Sequence, residues 1–217
     1  MKKIISAIIA LCMFTTAFAQ TQTTKDRLYS NKFSLLFGTI QPTMLKGFNV
    51  EVNYTTKRVI FDYSHGLSLD PPTAGDFKAQ NLSIHLPYST GFGIGYRFNS
   101  FFDLRFEPKL HSWELYDASD AQNATTMIRS FKTFSLGLGA YYRYMPFKNS
   151  NSKVLQGITT SSSFRYWQNV GSTLSNDEMT YFNKSSNKSE QVKAPNIGIA
   201  NTPLIFNIAI GYTFGGK

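Results

Sequence analysis

The chain has 217 residues, with 22 Lys and Arg against 13 Asp and Glu, a formal net charge of +9, and one cysteine. That length suits one domain of ordinary size, and a single cysteine excludes a disulfide framework. No basic block, zinc knuckle or helix-turn-helix pattern points to nucleic acid, and after residue 20 no run approaches the 18 apolar residues of a membrane helix.

The N-terminus carries a basic pair, Lys2 and Lys3, an apolar stretch from Ile4 to Phe14, and Ala17-Phe18-Ala19 before Gln20. This predicts a secretory signal peptide over residues 1–19, too short to anchor in a bilayer. Its removal takes away Cys12 and the two lysines, leaving 20 bases against 13 acids, a formal +7. A short periplasmic segment, 20–31, is expected to lead into the folded body.

From residue 32 onward one rule recurs. Alternate residues are apolar and the others polar or small, the period of two that a strand imposes on its faces. The first predicted strand, Lys32 to Ile40, sets Phe33, Leu35 and Phe37 against Ser34 and Gly38. The second, Phe48 to Thr55, sets Phe48, Val50, Val52 and Tyr54 against Asn49, Glu51 and Asn53. The third, Arg58 to Gly66, opposes Val59, Phe61 and Tyr63 to Arg58, Asp62 and Ser64, with Ile60 as an exception. The fourth, Gly91 to Phe98, opposes Phe92, Ile94 and Tyr96 to Gly91, Gly93, Gly95 and Arg97.

The fifth segment, Phe102 to Tyr116, is the clearest. Phe102, Leu104, Phe106 and Pro108 alternate with Asp103, Arg105, Glu107 and Lys109, so one face is greasy and the other ionic with alternating sign. Pro108 cannot donate to a ladder and predicts a local bulge. The sixth, Arg129 to Met145, opposes Phe134, Leu136, Leu138 and Tyr142 to Ser135, Gly137, Gly139, Tyr141 and Arg143. The seventh, Val154 to Trp167, is weaker, with Phe164 and Tyr166 opposite Ser163 and Arg165. The eighth, Leu204 to Phe214, sets Phe206, Ile208, Ile210, Tyr212 and Phe214 against Asn207, Ala209, Gly211 and Thr213.

The connections alternate too. Residues 56–57, 99–100 and 146–153 are short, whereas 41–47, 68–90, 117–128 and 170–203 are mostly longer. An eight-stranded antiparallel up-and-down transmembrane β-barrel over residues 32–214, an all-β fold, satisfies both alternations, with a tail at 215–217. Short turns then face the periplasm and long loops the exterior. The Asn183–Lys193 stretch, rich in Lys, Ser and Asn, reads as a mobile surface loop. Inward glycines relieve crowding in a narrow interior. Aromatics at the short-turn ends, among them Tyr54, Tyr96, Phe98, Tyr144 and Phe214, predict a ring at headgroup level.

The ending Phe206-Asn-Ile-Ala-Ile-Gly-Tyr-Thr-Phe214 resembles the C-terminal signal read by the outer-membrane assembly machinery, although Gly215-Gly216-Lys217 follows it. With the eight segments and the signal peptide, the chain resembles small outer-membrane barrels of the OmpA, OmpX and OmpW type. That resemblance implies outer-membrane lipid and lipopolysaccharide as surroundings and the barrel-assembly machinery as a partner. Phe206, Ile208, Ile210, Tyr212 and Phe214 would form the signal.

Strand parity gathers the acids Glu51, Asp62, Asp103 and Glu107 and the bases Arg58, Arg97, Arg105, Lys109, Arg143 and Arg165 inside. Opposite charges this close are expected to form an ion-paired plug, since a lone charge there is costly; the competing reading is an ion path. Catalysis is disfavoured. His111 faces inward while Ser112 and Glu114 face outward, His65 shares the apolar face, and His85 falls in a loop. A nucleophile–base pair does not arise from these neighbours. Asp117, Asp120, Asp177 and Glu178 lack calcium-loop spacing and read as solvated turn residues.

The expectation is therefore a monomeric, cofactor-free, non-enzymatic barrel that works through its loops on an unidentified extracellular ligand or protein. A narrow channel or small-solute binder is the alternative, and a lipid-modifying enzyme the third. Strands five to seven exceed the roughly 9–11 residues a tilted strand needs to cross a bilayer. Trp113, Tyr116, Phe131, Tyr166 and Trp167 would then stand at an outer rim open to strand addition.

Overall fold

The computed structural model describes residues 31–215; the predicted signal peptide, most of the 20–31 segment and residues 216–217 lie outside them. Eight strands close into an antiparallel barrel: β1 (Lys32–Gly38), β2 (Phe48–Thr55), β3 (Val59–Leu69), β4 (Leu82–Arg97), β5 (Phe102–Asp117), β6 (Arg129–Tyr144), β7 (Ile158–Ser172) and β10 (Leu204–Gly215). Each pairs with its neighbour in sequence, and β10 returns to β1, with Phe214 opposite Phe33 and Ile210 opposite Phe37. A further hairpin, β8 (Glu178–Asn183) and β9 (Lys188–Lys193), forms a separate two-stranded sheet.

The alternation in sequence becomes inside and outside. Phe92 and Leu138 are each 68% exposed on the outer wall, amid Phe61, Ile94, Leu104, Phe106, Phe164, Ile208 and Ile210. Glu51, Asp62, Arg105, Glu107 and Lys109 are buried within. This inverts a water-soluble core. At the short-turn end the outer aromatics touch one another: Tyr96 with Phe98 at 5.2 Å, Tyr212 with Phe214 at 4.7 Å, Phe33 with Phe214 at 6.3 Å.

Inward glycines sit where a side chain would collide. A Cβ on Gly137 would fall inside the Trp167 indole, and one on Gly93 would meet the Asp62 carboxylate. Crowding by an aromatic ring as well as by charged chains therefore explains the glycine face.

Several boundaries differ from the sequence reading. The β4 strand begins at Leu82, not Gly91, because the register slips between His85 and Ser89, around Pro87, and the alternation changes phase there. His85 thus lies in a strand. Pro108 causes no bulge: the β4–β5 register is the same on either side of it, and the β5–β6 register runs through it unshifted. The slip in β6–β7 falls at Phe134/Ser135 instead. Residues Lys153–Gln156 form a helical turn, so β7 starts at Ile158 rather than Val154.

The largest departure is above the wall. At their outer ends β4, β5 and β6 change character on the inward face, from ionic to apolar. Leu82, Ile84, Leu86, Trp113, Leu115 and Phe131 are buried there with Leu69 and Phe77. The β8–β9 hairpin adds Met179, Tyr181 and Val192 to this cluster, joined by Leu174. The stretch read as a mobile loop, Asn183–Lys193, is instead the hairpin turn and β9, ordered because its Val192 shares a buried face with Met179 and Tyr181 of β8. Polar clasps hold it: Tyr181 Oη donates to Gln80 Oε1 at 2.8 Å, and Asn183 Nδ2 to the Gln80 carbonyl at 3.0 Å.

The rim aromatics follow suit. Trp113 and Phe131 are buried within this cluster, Trp167 in the lumen beside Glu107 and Tyr116 beside Glu114, and of the five only Tyr166 is exposed, which removes the open aromatic rim on which strand addition was based. Placing a carboxylate at Met179 would bury an unpaired charge. Met179→Asp is expected to cost at least about 3 kcal/mol locally and to erase amide-exchange protection across residues 178–193, while protection in β1, β2 and β10 persists.

Candidate functional site

The lumen is built mainly on β5, whose inward residues climb from the short-turn end: Asp103, Arg105, Glu107, Lys109, His111 and Trp113. Arg105 is the hub. Its Nε donates to Asp103 Oδ1 at 2.6 Å, and its Nη1 donates to Glu51 Oε1 and to Asn53 Oδ1, each at 2.8 Å, with Asp62 Oδ2 at 3.4 Å. The guanidinium also lies 3.6 Å from the centroid of the Tyr141 ring. Asn53 Nδ2 in turn donates to Glu51 Oε1 at 2.9 Å.

One level up, Glu107 accepts from Tyr141 Oη at 2.7 Å and from Trp167 Nε1 at 3.1 Å, and its carboxylate stands 3.7 Å from Lys109 Nζ. Lys109 also donates to Ser64 Oγ at 2.5 Å and sits 3.8 Å from Asp62. Arg165 reaches Ser163 Oγ at 3.0 Å and lies over the Tyr141 and Trp167 rings, at 5.6 and 4.9 Å. At the short-turn end Arg143 approaches Asp103 at 4.0 Å, and Arg97 donates to the Thr56 carbonyl at 2.8 Å. Ser34, Thr213 and Thr159 link β1, β10 and β7 through hydroxyls 2.8 and 2.7 Å apart.

Nine of the ten charges assigned to the lumen are buried inside it. Arg58 is the correction. It lies in the turn before β3, exposed, and donates to Tyr96 Oη at 2.8 Å on the outer wall. Parity placed it inward, but the strand begins only at Val59, so the alternation does not bind it. The interior thus holds Arg97, Arg105, Lys109, Arg143 and Arg165 against Glu51, Asp62, Asp103 and Glu107, an excess of one base.

The histidines separate clearly. His111 is buried, and its Nδ1 lies 2.8 Å from Ser89 Oγ, a pairing hidden from the sequence because β4 was started after Ser89. Among the described residues its Nε2 has no hydrogen-bond partner, whereas a Ser–His catalytic pair is oriented by an acceptor at that position. The cavity beside Ser89, also lined by Gln41, Asn49, Ser64, Arg165 and Trp167, amounts to about 70 Å³, room for water and little else. His65 stands on the outer wall against Tyr63 and Tyr88. His85 Nδ1 lies 2.6 Å from Asp70 Oδ1 in the cap, and Lys46 is 3.3 Å from the same carboxylate.

The loop carboxylates are less solvated than expected. Asp117 is buried and accepts from Asn81 Nδ2 at 3.0 Å and from Ser119 Oγ at 2.6 Å. The Ser119 hydroxyl and amide hold its carboxyl below the usual range. Asp120 pairs with Lys184 at 2.7 Å, and Glu178 with Lys193 at 3.8 Å, while Asp177 accepts from Ser172 Oγ at 2.6 Å. Burial, aided by Glu190, pushes the Tyr181 phenol up to about 12, so it remains a donor to Gln80 throughout the physiological range. Among the described residues no group of three or more His, Cys, Asp or Glu is arranged to hold a metal ion.

No protein-family model matches the chain, and no curated protein sequence matches it. Among solved structures it is similar to Ail, the attachment invasion locus protein of Yersinia pestis, crystallised with the heparin analogue sucrose octasulfate. That similarity has 12% identity and a TM-score of 0.42 over 85% of this chain and 99% of that one. A major outer membrane protein from Thermus thermophilus is similar at 11% identity and a TM-score of 0.40, again over 85% and 99%.

Glu107 offers the sharpest test of the plug. Glu107→Ala removes the acceptor of Tyr141 and Trp167 and one of the two carboxylates beside Lys109, leaving the buried ammonium with Asp62 and the Ser64 hydroxyl. It is expected to lower stability by about 3 kcal/mol, read from denaturant unfolding in detergent micelles, with Glu107→Gln losing less because the two neutral donors keep a partner.

Proposed function

We propose that the protein is an outer-membrane β-barrel that does not conduct and that presents its folded cap outside the cell as an interaction surface. The carrying observation is the closure of the interior: an ionic plug fills the barrel, and an apolar cluster with its own hairpin covers the outer end. The outer wall supports the membrane. A continuous belt of Phe, Leu and Ile around eight strands far exceeds the apolar patch of about 300–600 Å² that a typical soluble monomer exposes, whereas hydrocarbon is the natural solvent for such a face. Strand lengths support an outward cap, since β4, β5 and β6 have 16 residues each against seven in β1 and eight in β2.

In this reading the functional surface is the cap. Two depressions of about 340 Å³ open around it, one lined by Leu174, Met179, Thr180 and Gln191, the other by His85, Glu114, Tyr116 and Asn123. Both mix polar groups with some apolar floor, suited to a polar macromolecular surface more than to a buried small molecule. The Phe206 to Phe214 segment would serve as the assembly signal, and its outward residues also pair β10 with β1 to close the wall.

Three measurements test this. In planar bilayers the purified protein is expected to show no steady conductance; open-channel currents in the unaltered protein would overturn the sealed-barrel reading. Trypsin added to intact cells is expected to cut at the hairpin turn, at Lys184 or Lys188, and to leave the strands whole, whereas cleavage confined to Lys57 or Lys148 would reverse the orientation. Replacing Tyr212 and Phe214 together with Ala is expected to deplete folded, heat-modifiable protein from the outer membrane, and normal assembly would remove the signal role.

A further inference from the structure

Arg165 is held differently from the other lumen bases. Arg105, Lys109 and Arg143 share the carboxylates of Glu51, Asp62, Asp103 and Glu107 at 2.6 to 4.0 Å, and Arg97 donates to a backbone carbonyl. Among the described residues Arg165 forms no such ion pair, and its one hydrogen bond runs from Nε to Ser163 Oγ at 3.0 Å. The Tyr141 and Trp167 rings lie 5.6 and 4.9 Å from the guanidinium carbon. Both terminal nitrogens, Nη1 and Nη2, are thus left without an acceptor among the described residues, on a side chain that is buried.

Arg165 lines the cavity of about 70 Å³ that lies between the ionic lumen and the long loops, and Ser64 and Ser89 line it too. Lys109 donates to Ser64 Oγ at 2.5 Å. An ammonium only donates, so the Ser64 hydroxyl turns its own hydrogen elsewhere. Ser89 Oγ lies 2.8 Å from His111 Nδ1. With its proton on Nδ1, His111 leaves no N–H at the unpartnered Nε2, and Ser89 likewise turns its hydrogen away. Gln41 Oε1 on the cavity wall has no partner, and a half-turn of that amide puts a donor in its place. Leu45, Pro71 and Ile197, from three different long loops, give the cavity an apolar side.

We infer that this cavity is a binding site for one small monovalent anion of the chloride class, held by Arg165 Nη1 and Nη2 and the Ser64 and Ser89 hydroxyls. A buried guanidinium is costly without a counter-charge, and these donors converge with no carboxylate among them. A water occupies about 30 Å³ of liquid, so a cavity of about 70 Å³ takes a halide with one water. The apolar side favours the loosely hydrated chloride and bromide over fluoride, which keeps its water more tightly. Asp62 and Glu107 stand one inward position nearer the short turns than Ser64 and Lys109, so an anion entering from the long loops is repelled from going further. The inference rests on the geometry of the lumen and is independent of what the cap meets outside the cell.

Two measurements on the full barrel test it. Crystals soaked in sodium bromide are expected to show an anomalous peak at hydrogen-bond distance from the Arg165 guanidinium and the Ser64 hydroxyl; peaks confined to the protein surface, or none, overturn the site. In micelles at fixed ionic strength, replacing gluconate by chloride is expected to raise the thermal unfolding midpoint along a saturable curve, with bromide equivalent and fluoride and sulfate ineffective. A rise that does not saturate, or that sulfate reproduces, is a general salt effect and overturns the site. Ser64→Ala is expected to raise the half-saturating chloride concentration about tenfold, the worth of one hydrogen bond to a charged group. Arg165→Gln is expected to abolish the chloride dependence, and Lys188→Gln, on the exposed hairpin turn, to leave it unchanged. Chloride dependence that survives Arg165→Gln, is undiminished in Ser64→Ala or is lost in Lys188→Gln overturns the site. Should Arg165→Gln not fold, bromide diffraction from the unaltered protein decides alone.

Discussion

At the centre of the barrel one guanidinium, that of Arg105, is shared among Glu51, Asn53 and Asp103, with Asp62 close by and the Tyr141 ring beneath it. An eight-stranded barrel has an interior just wide enough to be filled by side chains, and strands that turn their apolar residues outward must fill it with polar ones. Buried charge is costly unless paired and hydrogen-bonded. Everything else in the lumen serves that constraint. Tyr141 and Trp167 are placed as donors to Glu107, and glycines open room for the rings and carboxylates that complete the network.

The same constraint explains why the interior changes chemistry partway up. An ionic ladder can continue only while opposite charges alternate on facing strands. Above Lys109 the inward positions of β5 become His111, Trp113 and Leu115, and β4 and β6 answer with Leu86, Ile84 and Phe131. Trp113 bridges the two regimes, donating from its indole to Thr133 at 2.8 Å while stacking on Phe131. Once the inward face is apolar it needs a cover, and the β8–β9 hairpin supplies one. The hairpin that completes the apolar cluster thus also covers the long-loop end of the barrel.

The wall itself divides by end. Aromatic rings gather at the short turns, whereas acids and bases are paired around the cap.

Period-two alternation is a local property, and wherever it held, the sequence by itself determined strand, face and partner. The segment from Phe102 to Lys109 specified one apolar and one ionic side, the parity of loop lengths specified an up-and-down meander, and nine inward charges were assigned from parity alone. What the tertiary structure decided lay where local pattern and long-range packing part. Arg58 escaped because it precedes its strand, where no ladder fixes its direction. Ser89 meets His111 in the same register as Gly91 and Lys109, and the pair escaped because the slip between His85 and Ser89 breaks the alternation that would have carried β4 past Gly91. The Asn183–Lys193 stretch is polar enough to resemble a solvated loop, yet its Val192, with Met179 and Tyr181 of the preceding strand, finds burial against residues more than forty positions away. Three apolar side chains cannot order a hairpin in water by themselves; they do so only when a distant apolar face, assembled by other strands, removes them from it.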